Sequence, residues 1–338
     1  MTYTVEIAEH IAEVGEVWDT VVHDTDAPLF YYRRFLEAFE QNPLHPLQRV
    51  AYLTVRAPSG NAVAVLPAYL QRGTDPMRVL ATHFPHSLDQ PVLLSHIWHS
   101  YESTLPTRPD HYPSAAGAAL AAFAATWQAA VCGLINVVQT DPLSAMLTAQ
   151  GYRGFTIETG WCMRVDGFHD LDDWLATLRH NHRRTMRSQV RRAIEAGFTT
   201  RWIPICDADI DGFMWLARRT AAKHNNADYY KEGIFPRFLR HLSEHVHMLE
   251  LRSPHGELAG SAPMLSDASR THFPFCGFDL NACPGFSPFY VLVAHMVLET
   301  IHRQRQWIYL GRRNPDFKRR YGFTPTPLQA HLRQLNTP

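Results

Sequence analysis

Two stretches of this chain share a pattern of fifteen residues without a gap. "LTVRAPSGNAVAVLP" (Leu53–Pro67) and "LELRSPHGELAGSAP" (Leu249–Pro263) both read Leu-x-Val/Leu-Arg-x-Pro-x-Gly, then six residues and a proline. An alternating strand, a Pro/Gly turn and a second apolar strand predict a β-hairpin. A hairpin that occurs twice indicates that the chain contains one structural unit in two copies.

Further landmarks flank both hairpins in the same order. A stretch with helical apolar spacing precedes each one, at Arg34–Gln41 and Arg237–Glu244. The letters "THFP" follow each one, at Thr82–Pro85 and Thr271–Pro274, and we expect these two segments to superpose. Each copy then continues with a helical run, a short strand, an Asp-Pro or Asn-Pro pair and an aromatic-glycine region.

This order of elements predicts the fold class. One copy reads helix, hairpin, strand, helix, strand, helix and a closing strand, which in the second copy is Leu328–Leu335. A mixed sheet flanked by helices is an α/β (α+β) unit. We therefore predict two domains, residues 1–165 and residues 166–338.

The composition is that of an ordinary globular protein. Of 338 residues, 46% are hydrophobic and 19% are charged, and the 32 basic residues balance the 32 acidic ones. The net charge therefore indicates no partner. No apolar run approaches the length of a membrane span, and Met1–Asp19 lacks the order of a signal peptide. Five scattered cysteines without C-x-x-C indicate reduced thiols, so we expect a cytoplasmic protein without a membrane partner.

A family resemblance is sharpest over Thr271–Gly322. This segment contains Gly277-Phe278-Asp279, Ser287-Pro288, Gly311-Arg312, Phe317-Lys318 and Tyr321-Gly322. The pattern resembles the GNAT superfamily of acyltransferases, and the tandem arrangement resembles the Fem-type peptidyltransferases. The resemblance implies two tandem GNAT-like domains, each a mixed twisted sheet flanked by helices.

The resemblance also bears on the acyl donor. The GNAT loop that binds pyrophosphate, R/Q-x-x-G-x-G/A, is missing from "LNACPGFSP". Fem-type enzymes also lack it and take the acyl group from aminoacyl-tRNA. The resemblance therefore favours aminoacyl-tRNA over acyl-CoA as the co-substrate, with no tightly bound cofactor.

The densest polar cluster is "GRRNPDFKRRYG", Gly311–Gly322. Its cations follow the carboxyl end of a predicted strand, where α/β folds tend to bind ligands, and they suit phosphates or carboxylates: Arg312, Arg313, Lys318, Arg319 and Arg320. The alternative is a solvated basic face. The corresponding stretch "TDPLSAMLTAQGY" has none of these cations. We therefore expect the N-terminal domain to be degenerate and partly structural, and the C-terminal domain to carry the ligand site.

A second basic run is predicted to form a helix over Leu178–Gly197. Arginines recur there at every fourth position, an unfavourable stacking of like charges that a polyanion would compensate: Arg179, Arg183, Arg187 and Arg191. A solvated face paired to acidic neighbours is the alternative. Ser287 before Pro288 predicts a capped helix start whose free amides either bind a phosphate or are ordinary.

The remaining candidates concern the reaction itself. Lys318 is one of only three lysines and is predicted to hold a phosphate or the developing oxyanion, while Asp279 or Tyr290 assists proton removal. Cys276, expected within the central strand, is either an acyl carrier or a packing residue. Predicted substrate contacts are His272, Cys276, Tyr309, Tyr229 and Tyr230. No spacing indicates a metal.

These observations converge on one function and leave alternatives open. The first hypothesis is an N-acyltransferase that forms an amide bond from an activated donor, with aminoacyl-tRNA favoured. The acceptor would be an amine of a small molecule or peptide-like compound in a biosynthetic pathway. One alternative is a GNAT enzyme that uses acyl-CoA or an acyl carrier protein. The other is a non-catalytic binding or scaffold protein.

Overall fold

The computed structural model describes residues 2–72, 79–84, 90–223 and 229–335. The chain forms two compact units, one comprising Met1–Thr159 with Thr326–Pro338 and the other Gly160–Pro325. The sequence boundary assigned the C-terminal segment to the second copy. The structure instead places it with the first unit.

The first unit contains a mixed sheet. Its elements are β1 (Thr4–Ala8), α1 (Glu16–Asp24), α2 (Arg33–Gln41), β2 (Leu47–Arg56), β3 (Ala62–Gln71), α3 (Val79–His83), β4 (Val92–Ser95), α4 (Ser114–Ala125), β5 (Val131–Val138), α5 (Pro142–Ala149) and the beginning of β6 (Arg153–Arg164). The strands lie in the order β1-β2-β3-β4-β5, and only β4 and β5 run parallel to each other within that series.

The second unit repeats this plan. Its elements are the end of β6, then α6 (Leu171–Ala176), α7 (His180–Glu195), β7 (Thr199–Pro204), α8 (Ile210–Ala222), α9 (Ile234–His241), β8 (Val246–Arg252), β9 (Leu258–Ser266), β10 (Arg270–His272), β11 (Gly277–Phe278), α10 (Pro288–His302), β12 (Trp307–Tyr309) and α11 (Pro315–Arg320). The strands lie in the order β6-β12-β10-β9-β8-β7, with β10 and β12 parallel. Strand β13 (Thr324–Gln334) follows α11.

The two predicted hairpins are present and match in detail. Strands β2 and β3 pair Arg56 with Ala62, and β8 and β9 pair Arg252 with Leu258, each after a register shift. Gly60 has φ +86° and Gly256 has φ +83°, a conformation that favours glycine. In each turn the arginine side chain donates to the glycine carbonyl oxygen, at 2.9 Å and 2.7 Å. Local chemistry therefore dictates the same turn twice.

The repeated letters "THFP" do not mark equivalent positions. Thr82 and His83 lie in helix α3, whereas Thr271 and His272 lie in strand β10. Pro85 lies outside the described residues. The strand equivalent to β10 is β4, which begins ten residues after Thr82, because the first unit has extra chain between β3 and β4. The predicted superposition of the two segments is wrong.

The later landmarks of the repeat do coincide. Asp141 caps α5 by accepting a hydrogen bond from the Leu143 N–H at 2.8 Å, and Asn314 stands at the same position before α11. Gly151 and Gly322 follow these helices with φ of +82° and +84°. The helical run that follows the first hairpin is α4, which ends at Ala125 because Val131 already belongs to β5.

Helix α10 supports the core of the second unit. Its buried face, which includes Leu292, Val293 and Val297, packs into a cluster with Leu249 and Ala262 from the hairpin. This packing fixes the connection between the parallel strands β10 and β12, so their carboxyl ends lie at one edge of the sheet.

Strand β13 completes the first unit's sheet. Its residue Leu332 pairs antiparallel with Gly133 of β5. A Cβ atom at Gly133 would lie 1.9 Å from the His331 carbonyl oxygen, so only glycine permits this pairing. In the second unit, the end of β6 pairs with β12 through Met163 and Ile308.

Candidate active site

The backbone hydrogen bonding between the parallel strands of the second unit ends at their carboxyl ends. The last backbone bond between them runs from the Phe273 N–H to the Tyr309 oxygen at 2.8 Å. Beyond it, Gly311 has φ +58°, and a Cβ atom there would lie 2.7 Å from the Pro274 carbonyl oxygen. Glycine therefore allows the two segments to stay close at the edge where α/β folds bind ligands.

Lys318 lies at this edge and is buried. It belongs to α11 and is only 2% exposed. Burial raises the pKa of the Cys276 thiol to about 12, and the charge of Lys318 acts in the opposite direction. The predicted lysine and the predicted cysteine are therefore neighbours. Because a thiol with such a pKa stays protonated at neutral pH, the packing interpretation of Cys276 is favoured over an acyl carrier.

The position predicted for Cys276 is wrong. Strand β10 ends at His272, and Cys276 lies in the segment between β10 and β11. This segment leaves the ladder because Pro274 has no N–H to donate. The cysteine therefore lies beyond the end of the central strand rather than inside it.

Tyr290 is part of the same group. Its ring packs edge-on against Phe317, which precedes Lys318 in α11, at 5.1 Å and against Tyr321, which follows the end of α11, at 5.6 Å. Burial raises the pKa of Tyr321. The first turn of α10 thus contacts the helix that carries the lysine.

Asp279 makes a different set of contacts. One carboxylate oxygen accepts a hydrogen bond from the Asn281 N–H at 3.0 Å, and the other lies 3.9 Å from the Arg219 guanidinium. Arg219 in turn lies over the ring of Trp215 at 4.3 Å. Of the two predicted bases, Tyr290 is the one with contacts to α11.

His272 and Tyr309 stack at the strand ends. Their ring centroids are 4.6 Å apart, as expected for facing residues of adjacent strands. Burial, aided by Arg270, lowers the pKa of His272 to about 3, so its ring is neutral at pH 7. The Asp267 carboxylate lies 3.9 Å from it.

The segment that carries the predicted substrate contacts Tyr229 and Tyr230 lies near the same residues. Tyr230 is buried and its ring lies 4.4 Å from that of Phe275, next to Cys276. Tyr229 packs edge-on against Tyr230 at 4.9 Å. The preceding residues 224–228 of that loop lie outside the described residues.

A basic groove lies beside α11. It has a volume of about 580 Å³, and its polar lining includes Arg179, His182, Asp316, Arg319 and Arg320. Helix α7 begins at the groove, and no side chain caps its first turn. The N–H groups at this end of a helix favour anions. Sequence reasoning included Arg319 and Arg320 in a basic cluster and missed His182 and the groove.

The predicted row of arginines separates into different environments. Arg179 precedes α7 and lines the groove, and Arg183 donates to the Ala176 carbonyl oxygen at 3.4 Å. Arg187 pairs with Asp172 at 2.7 Å, and Arg191 lies 3.5 Å from Glu195. The row as a whole resembles the solvated, paired alternative, and Arg179 is the member placed at the groove.

The other predicted phosphate contacts lie near the same edge. Ser287 precedes α10, but its side chain makes no capping bond, which corrects the predicted serine cap. Its N–H donates instead to the Gln189 side-chain oxygen at 2.6 Å. Arg312 and Arg313 follow Gly311 in the connection between β12 and α11.

Two further findings concern the described residues alone. None of their His, Cys, Asp and Glu side chains form a cluster of three that could hold a metal ion. None of the helices among them is both long and apolar enough to cross a membrane.

Comparison with known families and folds assigns this architecture. Residues 180–319 match the family described as the acetyltransferase (GNAT) domain, a range that contains Lys318, Tyr290 and part of the groove lining. The match lies within the second unit and supports an acyltransferase, and the chain as a whole has a tandem GNAT-like fold. No curated protein matches its sequence.

The fold is shared with solved structures along the whole chain. It is similar to the solved structure of FemX with a TM-score of 0.69 at 11% identity, covering 99% of this chain and 98% of that one. The tandem GNAT protein from the clavulanic acid biosynthesis pathway gives 0.58 at 13%, covering 99% and 100%. L-PGS from Bacillus licheniformis gives 0.57 at 12%, covering 94% and 91%.

Proposed function

We propose that this protein is an N-acyltransferase that transfers an activated acyl group, carried by aminoacyl-tRNA, to an amine of a small-molecule or peptide-like acceptor. The observation that carries the proposal is the basic groove beside α11. It combines Arg179, Arg319 and Arg320 with the uncapped start of α7, next to the helix that holds Lys318.

The composition of the groove suits a nucleic-acid backbone. Guanidinium groups and free helix N–H groups bind phosphates, and their contribution falls as salt is added. Arg320 donates through Nε to the Asp316 carbonyl oxygen at 2.9 Å, and the Arg319 guanidinium lies over the Trp161 ring at 5.4 Å. Both side chains are exposed and therefore accessible to a large donor.

Lys318 and Tyr290 are assigned the chemistry. The acceptor nitrogen attacks the ester carbonyl of the donor, so a C–N bond forms while the C–O bond to the ribose breaks. Negative charge develops on the carbonyl oxygen, and the buried Lys318 ammonium stabilises it. Tyr290 receives the proton of the attacking amine and passes it to the leaving ribose oxygen. Its ring packs against Phe317, which precedes Lys318, and against Tyr321, which follows α11.

An acyl-CoA donor is the second candidate. The matched domain family is described as an acetyltransferase, and the similar protein from the clavulanic acid pathway is described in a form without AcCoA. FemX and L-PGS as fold neighbours are compatible with either donor, because at their level of identity they show the fold alone. The groove favours tRNA because it presents several cations rather than a glycine-rich loop.

The test compares the two donors directly. The protein is incubated with a pool of aminoacylated tRNA or with a panel of acyl-CoAs, together with a mixture of amines, and products are followed by mass spectrometry. We expect amide products from charged tRNA only. Amides formed from acyl-CoA alone would reject the tRNA assignment and retain the acyltransferase.

A matched pair of variants tests the groove. Arg319→Gln with Arg320→Gln should weaken tRNA binding and reduce the slope of log affinity against log salt by about 1.5, since each lost phosphate contact contributes about 0.7–0.9. Arg187→Gln with Arg191→Gln removes the same charge from two arginines of α7 that do not line the groove and should change the slope less. Equal effects of the two pairs would contradict the proposal.

A further inference from the structure

The first unit contains buried polar side chains that lack partners. Tyr69 and Gln71 stand at the end of strand β3, and both are 0% exposed. Among the described residues, the Tyr69 hydroxyl and both polar atoms of the Gln71 side chain have no hydrogen-bond partner. Such groups are rare in folded proteins because leaving them unpaired is unfavourable, so they point to a missing ligand or water.

The repeat shows that the fold does not need these groups. In the hairpin alignment Tyr69 corresponds to Leu265 and Gln71 to Asp267. Asp267 is satisfied locally, because one carboxylate oxygen accepts hydrogen bonds from the N–H groups of Ser269 and Arg270 at 2.9 and 2.8 Å. The second unit therefore forms the same strand end with an apolar side chain, that of Leu265, and a hydrogen-bonded one, that of Asp267.

The neighbours of Tyr69 are aromatic rings. The Tyr69 ring lies edge-on to Phe39 at 5.1 Å and 5.8 Å from His96. His96 is fully satisfied, since its Nε2–H donates to the Phe30 carbonyl oxygen at 2.7 Å and its Nδ1 accepts from the Ile97 N–H at 2.9 Å.

Two more histidines lie close to Gln71. The Arg72 N–H donates to the Pro46 carbonyl oxygen at 2.9 Å, which brings His45 beside the end of β3. The His45 and His99 rings are 5.1 Å apart and both are buried. Two buried histidine rings therefore lie near the strand end that carries Gln71.

Tyr69 and His96 carry no charge at neutral pH. Burial raises the pKa of Tyr69 well above its usual value, with Tyr31 and Glu40 acting in the same direction, and burial lowers the pKa of His96 to about 4. Neither side chain offers a counter-charge to an ionised ligand buried against it. A neutral ligand that both donates and accepts hydrogen bonds therefore fits them best.

We propose that the first unit binds a small uncharged amide at Tyr69 and Gln71. The Gln71 side chain offers a donor and an acceptor side by side, which pair with the carbonyl oxygen and N–H of an amide. Tyr69, two residues earlier on the same face of β3, donates its O–H to the second lone pair of that carbonyl oxygen. This site goes beyond the proposed reaction and does not depend on it.

The experiment uses N-acetylglycinamide as the probe and the full chain as the protein. We expect saturable binding by ligand-detected NMR with a Kd of about 1 mM, an ordinary strength for a ligand of about eight non-hydrogen atoms. Gln71→Met and Tyr69→Phe should each weaken binding at least about tenfold, the effect of losing one or two hydrogen bonds.

A stability measurement separates a ligand site from a structural one. Without the probe, Gln71→Met and Tyr69→Phe should leave the melting temperature unchanged or raise it by a few degrees, because each removes an unpaired buried group. Tyr52→Phe is the matched control, since the Tyr52 hydroxyl donates to Glu40 at 2.9 Å. It should lower the melting temperature and leave probe binding intact.

Three outcomes would overturn the proposal. The wild-type protein fails to bind the probe, the Gln71 and Tyr69 variants bind it as well as the wild type, or both variants are destabilised as much as Tyr52→Phe. The last outcome would mean that the groups hold ordered water and serve only the fold. The tRNA and acyl-CoA assays do not enter this test, so its failure leaves the proposed function untouched.

Discussion

Replacing Lys318 by methionine separates its charge from its packing. The side chain is 2% exposed, so truncation to alanine would leave a cavity and confuse loss of stability with loss of activity. Methionine keeps most of the volume and removes the ammonium, which limits the expected change in melting temperature to about 4 °C or less.

The expected loss of activity follows from the role of one charge. Removing a single group that stabilises a developing oxyanion costs about 2.7–4 kcal/mol, so turnover should fall by about a hundredfold to a thousandfold. The assay is amide formation from the donor that the wild type accepts. Lys223→Met makes the same change at an exposed position and should retain full activity.

Cys276 provides a second readout that needs no substrate. The charge of Lys318 lowers the pKa of the Cys276 thiol, against the larger effect of burial. Removing that charge should raise this pKa further and slow alkylation of Cys276 by iodoacetamide at pH 9. Normal turnover in Lys318→Met would place the site elsewhere, and unchanged alkylation would refute the proximity of the two side chains.

Two further predictions concern stability. Gly311→Ala should lower the free energy of unfolding by about 2 kcal/mol or more in denaturant titrations, because the φ of Gly311 is +58° and a Cβ atom there would lie 2.7 Å from a carbonyl oxygen. Gly151 has φ +82° but open space around it, so Gly151→Ala should lower the free energy of unfolding by about half as much or less. The free energy of unfolding should also fall as the pH drops from 6.5 to 5. His96 and His272 have folded pKa values of about 4 and 3, so in this window they take up protons only in the unfolded state. Each histidine should therefore lower the free energy of unfolding by about 2 kcal/mol. His272→Asn should flatten the pH dependence of urea unfolding, and an unchanged slope would contradict the assignment.

The sequence predicted the elements whose chemistry is local. The hairpins follow from a glycine with positive φ and an arginine that reaches its carbonyl, and both are readable in fifteen residues. The matching "THFP" letters carried no such chemistry, and they occupy a helix in one copy and a strand in the other. The spacing of the hairpin residues predicted structure because it has a physical cause, whereas the identical four-residue segments did not.

The candidate site was predictable in part. The resemblance selected Lys318, the chemistry suggested Asp279 or Tyr290, and in the structure Tyr290 packs against Phe317 and Tyr321. The pairing of Arg187 with Asp172 could not be predicted from the row of arginines, because the two residues meet only through tertiary structure. The roles of these residues stay predictions until the variants are measured.

The buried site of the first unit could not be predicted at all. An unpaired hydroxyl or amide becomes visible only when every neighbour is placed, and Tyr69 and Gln71 stand in an otherwise ordinary strand pattern. The pairing partner of the closing strand could not be predicted either, since the pairing of β13 with β5 joins residues nearly two hundred positions apart along the chain.

The position of β13 has a consequence for how the protein is made. A ribosome synthesises the first unit's helices and most of its strands early, but the edge of β5 receives its partner only when Thr326–Gln334 has been translated. Until then an unpaired strand edge is exposed on the nascent chain, which is a known source of aggregation. The half of the protein that emerges first is therefore the half that finishes folding last.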